Sequence, residues 1–365
     1  MKNKNANIFI VGIAGFPARY GGFETLVSSL IKELKLHFVV FCEMKYRDIS
    51  MEQKTISSTV RRVFLPINAN GWQSLVYDAV SLMMIFFYAG DKDRVLILGV
   101  SGAWVLPFFS LRRKLKVIVN VDGIEWRRQK WGRMQQKLLK ILEGLAVRFS
   151  NEVIADNYVV YRYLRFHYRI EPKIAAYGGE KPRSDTIPKS ELGLDLPRHF
   201  ALSICRVEPE NNVHVILSAF KETNKNLIFV GNWMGSQYGR RLYDEFSNLA
   251  NIKLLQPIYD PATLDWLRKN CELYVHGHSA GGSNPSLIEM MFYPKPIIAF
   301  ECSFNKHTLG GYGLFFSSDE CLAEIITNYN NFNPLDAISG TQMFALENYL
   351  WPAVASKYQE YLTDG

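Results

Sequence analysis

Short apolar runs alternate with amphipathic stretches twice along the 365 residues, and this double series restricts the chain to a small set of α/β folds. The first series reads as strands at Asn7–Val11, Phe38–Phe41, Arg62–Leu65, Val95–Leu98, Lys116–Val119 and Glu152–Ala155. Helical stretches at Phe23–Lys35, Gln73–Tyr88 and Gln135–Phe149 lie between them. The pattern then restarts, with strand-like Phe200–Ile204, Leu227–Val230, Ile252–Leu255, Leu273–Val275 and Pro296–Phe300. Helices are expected near Val213–Glu222, Tyr238–Ala250, Ala262–Asn270, Ser286–Tyr293 and Cys321–Asn328. Repeated β-α units imply parallel sheets with helices on both faces. The length also exceeds what one core usually serves. Two Rossmann-like domains are therefore expected, residues 1–172 and 173–340, divided near Pro172, with a helical closing segment at about 341–365 returning to the first. Ligands bind such sheets at the carboxyl ends of strands, so two facing sheets would enclose a cleft.

Charge is split between the halves. Residues 1–173 carry 27 Lys and Arg against 14 Asp and Glu, whereas residues 174–365 carry 15 against 21. Basic clusters at Arg112–Lys116, at Arg127–Lys130 and at Arg162, Arg165 and Arg169 lie near Trp104, Leu106–Phe109, Trp126 and Trp131. Solvated helix faces would look similar, but the mixture of cations and apolar side chains suits an anionic membrane surface. No nucleic-acid-binding motif accompanies the charge. The longest apolar stretch, Ser81–Ala89, is too short to span a bilayer, and Met1–Asn7 lacks the apolar region of a signal peptide. A cytoplasmic protein, peripheral on the inner face of the cell membrane, is expected. Five widely spaced cysteines without C-x-x-C argue against disulfides or zinc, and no metal site is expected.

Four segments carry candidate chemistry. His276–Glu289 (HGHSAGGSNPSLIE) joins a strand end, a loop of small residues and a helix start. Gly281, Gly282, Ser283 and Asn284, with Ser286 at the helix start, can bring backbone N–H groups close to a diphosphate at the positive helix end, and Glu289, about one turn inside, can accept hydrogen bonds from ribose hydroxyls. An ordinary Gly-rich turn with a solvated Glu is the plainer alternative. Residues 11–25 form a second such loop, VGIAGFPARYGGFET, in which Gly21 and Gly22 precede a helix and can approach a diphosphate, while Arg19 and Tyr20 can reach into the cleft. Its glycines do not follow the G-x-G-x-x-G dinucleotide spacing, and it can also be read as a flexible turn. Asp122 in NVDGIEWRR follows a buried strand and either holds an acceptor hydroxyl, with Arg127 nearby, or caps a turn. Arg206 in SICRVEPENN ends a strand and either neutralises a diphosphate or pairs with Glu208 or Glu210.

With these segments in order, the chain resembles glycosyltransferase family 4, and within it the bacterial polysaccharide branch that includes rhamnosyltransferases. The markers are residues 15–25, 122–126, 206–212 and 277–289. The resemblance implies a GT-B architecture and a metal-independent, retaining transfer without a cofactor, the nucleotide-sugar being a substrate. The donor, with dTDP-rhamnose the best candidate, would be held mostly by the second domain through Gly21, Gly22, Arg206, Asn211, Gly282, Ser283, Asn284, Ser286 and Glu289. The acceptor, a lipid-pyrophosphate-linked saccharide of O-antigen or capsule synthesis, would lie on the first through Arg19, Tyr20, Glu24, Asp122 and Arg127. Asp122, Arg206 and Glu289 are the expected catalytic residues. Glu289 matches the second Glu of the family's E-x7-E pattern. The first stands at position 281, here Gly, and a phosphate-binding Lys common in the family is here Asn211. Those departures keep two alternatives open: a nucleotide-sugar-binding assembly partner without activity, and a nucleotide-sugar epimerase.

Overall fold

The computed structural model describes residues 6–19, 21–51, 58–121, 123–128, 131–185, 193, 195–328, 331 and 334–363. The chain forms two compact units. The first comprises residues 1–127, 131–177 and 351–365, the second residues 128–130 and 178–350. The sequence reading put its division at 172 and the return at about 341; the units divide after Tyr177 and after Leu350.

The first unit is built on a parallel seven-stranded sheet of order β3-β2-β1-β4-β5-β6-β7. Its strands are β1 Asn7–Val11, β2 His37–Glu43, β3 Val60–Leu65, β4 Arg94–Leu98, β5 Lys116–Val121, β6 Glu152–Ala155 and β7 Lys173–Ile174. Helices α1 Gly22–Glu33, α2 Ser74–Tyr88, α3 Leu106–Phe109, α4 Arg133–Phe149 and α5 Tyr158–Tyr168 connect them. Central strands such as VLIL in β4 and VIVNV in β5 are buried along their length, as expected where helices cover both sheet faces. From β1 the chain steps outward through β2 and β3, then crosses back to β4 on the other side. This reversal leaves a crevice beyond the carboxyl ends of β1 and β4.

Gly12 stands at that crevice with φ +97°. A Cβ there would lie 2.0 Å from the Leu98 carbonyl oxygen, so only glycine fits. Its backbone N–H donates to Asp78 of α2, a carboxyl so buried that its pKa is pushed up to about 7. The unfolded value is near 3.9, so the neutral form contributes stability that is complete below about pH 4 and is lost as pH rises through about 7. Asp78→Asn should therefore gain on the wild type as pH rises from 5 to 8, by about 2.5–3 kcal/mol, since about two pKa units are crossed before the dependence levels off at about 1.4 kcal/mol each. Urea melts of both proteins across that range check this; parallel stability curves would contradict it.

The second unit repeats the plan with a six-stranded parallel sheet of order β10-β9-β8-β11-β12-β13. The strands are β8 Ala201–Ile204, β9 Leu227–Val230, β10 Ile252–Leu255, β11 Leu273–His276, β12 Ile297–Phe300 and β13 Leu314–Phe316. Helices are α6 Val213–Lys221, α7 Gln237–Phe246, α8 Pro261–Asn270, α9 Pro285–Met291, α10 Ser303–Thr308, α11 Asp319–Asn328 and α12 Pro334–Asn348. Val213, Ile216, Leu217 and Phe220 of α6 meet Leu322, Ile325 and Ile326 of α11 in one buried cluster. Helix starts are fixed by side chains: Ser236 accepts from Gly239 N, and Asp260 from Thr263 N ahead of Pro261. Each such cap is worth about 1 kcal/mol.

The closing segment is two helices instead of one. Pro352 cannot sit inside a helix but is tolerated in a first turn, so α12 stops at Asn348 and α13 runs Trp351–Thr363. Between them Tyr349 O accepts from Gly179 N at 2.7 Å. Helix α13 packs on α1, while Tyr358 pairs with Asn120 of β5 and Tyr361 Oη donates to Ile174 O at 3.2 Å. The five cysteines are free thiols, Cys42 and Cys271 buried and Cys205, Cys302 and Cys321 half-buried.

Candidate functional site

In the second unit the winding direction reverses between β8 and β11, and two loops meet there. After β8, residues 205–212 turn tightly: Asn211 N bonds Glu208 O at 3.0 Å, and Asn212 adopts the left-handed conformation before α6. After β11, residues 277–284 lead into α9. The loops are joined by Asn212 Nδ2 to Gly277 O at 2.8 Å and by Ser279 N and Oγ to Glu210 O at 2.9 and 2.8 Å. A Cβ at Gly277 would sit 2.2 Å from Asn211 O, so the close contact requires glycine. Tyr274 Oη adds a bond to Ile204 O at 3.2 Å.

Arg206 and Glu289 both stand at this crevice's rim. The Arg206 side chain is 49% exposed and reaches Glu208 at only 4.0 Å, the limit of an ion pair, so its charge faces solvent. Glu289, in the second turn of α9, is one-third exposed and pairs with Arg268 of α8, whose side chain is 9% exposed. Burial is the largest single influence and works against the Arg268 charge, but Glu289 together with Tyr293 and Tyr274 outweighs it, and the guanidinium's pKa is raised. The carboxylate is thus neither simply solvated nor mobile; it is held from behind by a buried cation. Gly282, Ser283 and Asn284 line the loop as buried small residues, Pro285 opens α9, and the Ser286 side chain bonds Tyr274. The structure gives Asn211 a different task from the donor contact expected of it: it is buried, and its Nδ2 donates to Arg206 O at 2.7 Å.

Sequence reasoning gave no role to His276 and His278. Their rings stack at 4.3 Å, and both are buried. Burial pushes His276 down to about pKa 3, and His278 is lowered by burial and by the nearby His276, Arg206 and Arg128. Both rings are therefore neutral, and Arg206 and Arg128 supply the positive charge. Arg268 was also missed. At the end of α8 it reads as an ordinary cation at a helix terminus, and nothing local announces a partner 21 residues away. Gly281 has φ +120°. Among the described residues, a Cβ at this position would meet Arg128 Nη2 at 3.6 Å and Asn284 Oδ1 at 3.7 Å, ordinary contacts, but the backbone is unfavourable for any residue other than glycine.

In the first unit, the loop after β1 is closed by its own residues. Glu24 turns back, Oε1 accepting from Ala14 N at 2.9 Å, and burial raises its pKa. Gly21 has φ +116°, and a Cβ would overlap Glu24 Oε2 at 2.0 Å. Glu24 therefore shapes the loop, while Arg19 is exposed and Gly22 starts α1. Arg127 is stacked over Trp126 at 5.1 Å and Tyr163 at 5.5 Å. Tyr20 and Asp122 lie outside the described residues.

A family profile described as a domain of unknown function (DUF1972) matches residues 5–180. No curated protein matches the chain. Among solved structures it is similar to sucrose-phosphate synthase from Thermosynechococcus elongatus, with a TM-score of 0.79 and 15% identity over 98% of each chain. It is also similar to Anabaena Alr3699/HepE in complex with UDP, at 0.73 and 16% over 99% of this chain and 100% of that one. The catalytic domain of starch synthase IV from Arabidopsis thaliana, bound to ADP and acarbose, gives 0.71 and 13% over 98% and 99%. At these identities the likeness concerns architecture, and the two parallel-sheet, Rossmann-like units have the GT-B fold.

Proposed function

We propose that the chain is a glycosyltransferase that moves a sugar, L-rhamnose from dTDP-rhamnose in the most specific form of the reading, to a lipid-pyrophosphate-linked saccharide in cell-surface polysaccharide synthesis. One observation carries the proposal: an outward-facing Arg206 and a carboxylate fixed by Arg268 stand at the switch point of the second unit's sheet, where α/β folds bind ligands. Cleavage of a sugar–phosphate bond builds negative charge on the diphosphate, so Arg206 and the backbone N–H groups of residues 281–284 and 286 stabilise the transition state more than the ground state. Glu289 accepts the ribose hydroxyls. The leaving phosphate takes the acceptor's proton on the face it departs from, which yields retention, with Asp122 orienting the reacting groups. The protein HepE, of similar fold, is described in complex with UDP, which supports a nucleotide-sugar donor.

A donor screen tests this. Pure protein is incubated with single nucleotide-sugars, with and without a lipid-pyrophosphate saccharide, and product and melting temperature are followed. The expected result is product that requires both substrates, and stabilisation by the donor of about 2.7 kcal/mol at a hundred times its Kd. Stabilisation without transfer for every pair would show a binding partner only. Conversion of the donor without acceptor would show an epimerase.

A further inference from the structure

We infer that α4 is a membrane-docking helix that seats the first unit on an anionic phospholipid surface. Its inner side, Leu142, Ala146 and Val147, is buried, as a sheet-covering helix requires. Its outer side is not polar in the usual way. Met134, Leu138 and Ile141, spaced so as to form one stripe, are 86%, 44% and 61% exposed. The adjoining stripe is Arg133, Lys137 and Lys140, all exposed.

The helix has one acid, Glu143, and it is turned inward, buried and taking hydrogen bonds from Tyr163 Oη at 2.5 Å and Tyr168 Oη at 2.7 Å. The outward face of α4 thus joins an apolar row to a basic row without a compensating anion, which matches lipid tails beside acidic headgroups. Helix α3, which packs against α4, also exposes Phe108, and Leu111 just past its end is exposed as well. The clusters prominent in the sequence are less suited to this role. Arg112 donates to Ala89 O at 2.5 Å and Arg165 pairs with Glu171 at 3.2 Å, so both charges are partly used within the unit. Among the described residues no helix is long and apolar enough to cross a membrane. The surface stands apart from the sugar-transfer reading and is tested without any substrate.

The test is co-sedimentation of the full chain with vesicles of phosphatidylcholine alone or mixed with phosphatidylglycerol. Binding should be at least about tenfold stronger to the anionic vesicles and should weaken with added salt. Met134→Ser, Leu138→Ser and Ile141→Ser together should reduce it about tenfold or more, and Arg133→Glu with Lys137→Glu should do the same, both with melting temperatures unchanged. Equal affinity for neutral vesicles, no binding, or a triple-serine variant that binds like the wild type overturns the inference. So does a wild-type dimer that the triple substitution dissociates, since the face would then be occupied by a second copy of the chain.

Discussion

With Arg206 in its proposed role, Arg206→Ala is expected to lower the rate of sugar transfer by a factor of about 100 to 1,000, the usual effect of removing one preorganised group that meets developing charge. The loss falls mainly on kcat, because the phosphate gains its charge as the bond breaks. Stability changes little. The guanidinium is half exposed and its Glu208 partner is 4.0 Å away, a geometry worth at most a few tenths of a kcal/mol. Arg206→Lys, which keeps the charge but loses the planar fork, recovers part of the rate. Steady-state kinetics alongside thermal melts separate these effects, and a variant with near-normal kcat/KM would remove Arg206 from the mechanism.

Glu289→Ala produces a different signature, a loss in both activity and stability. The substitution leaves the Arg268 cation buried without its partner, a situation that costs about 3–5 kcal/mol when both charges are fully buried. With Glu289 one-third exposed, the lower end of that range is expected. With Glu289 in its proposed role, the donor also loses its ribose contact, so KM for the nucleotide-sugar is expected to rise. Replacing both residues, Arg268→Met with Glu289→Leu, removes the stranded charge. The double variant should recover most of the lost stability and none of the lost donor affinity. Recovery of both, measured by urea melts and donor titration, would reduce Glu289 to a structural counter-ion.

The contrast between these two residues also shows what could be read from the sequence. Arg206 was accessible because its position is local: a strand run ends, a polar turn begins, and the side chain must stand near the strand's carboxyl end. The alternation of strands and helices was readable for the same reason, since doubly covered parallel strands are uninterrupted apolar runs such as Leu227–Val230. Elements below that scale were not. Strands β7 and β13 are two and three residues long, too short to show a pattern. Helix α5, YVVYRYLRFHY, is made of aromatic and β-branched residues that favour strands in isolation, and packing decides its form. The Arg268–Glu289 and Asp78–Gly12 partnerships join distant segments, and only the folded topology brings each pair together.

Position 281 carries a consequence for anyone wishing to retool this protein. A Cβ would make only ordinary contacts beside Arg128, yet the peptide there is bent into a shape that only glycine adopts at ease. The constraint at this point lies in the course of the main chain, so placing a carboxylate here would require remaking the turn and not merely exchanging one letter.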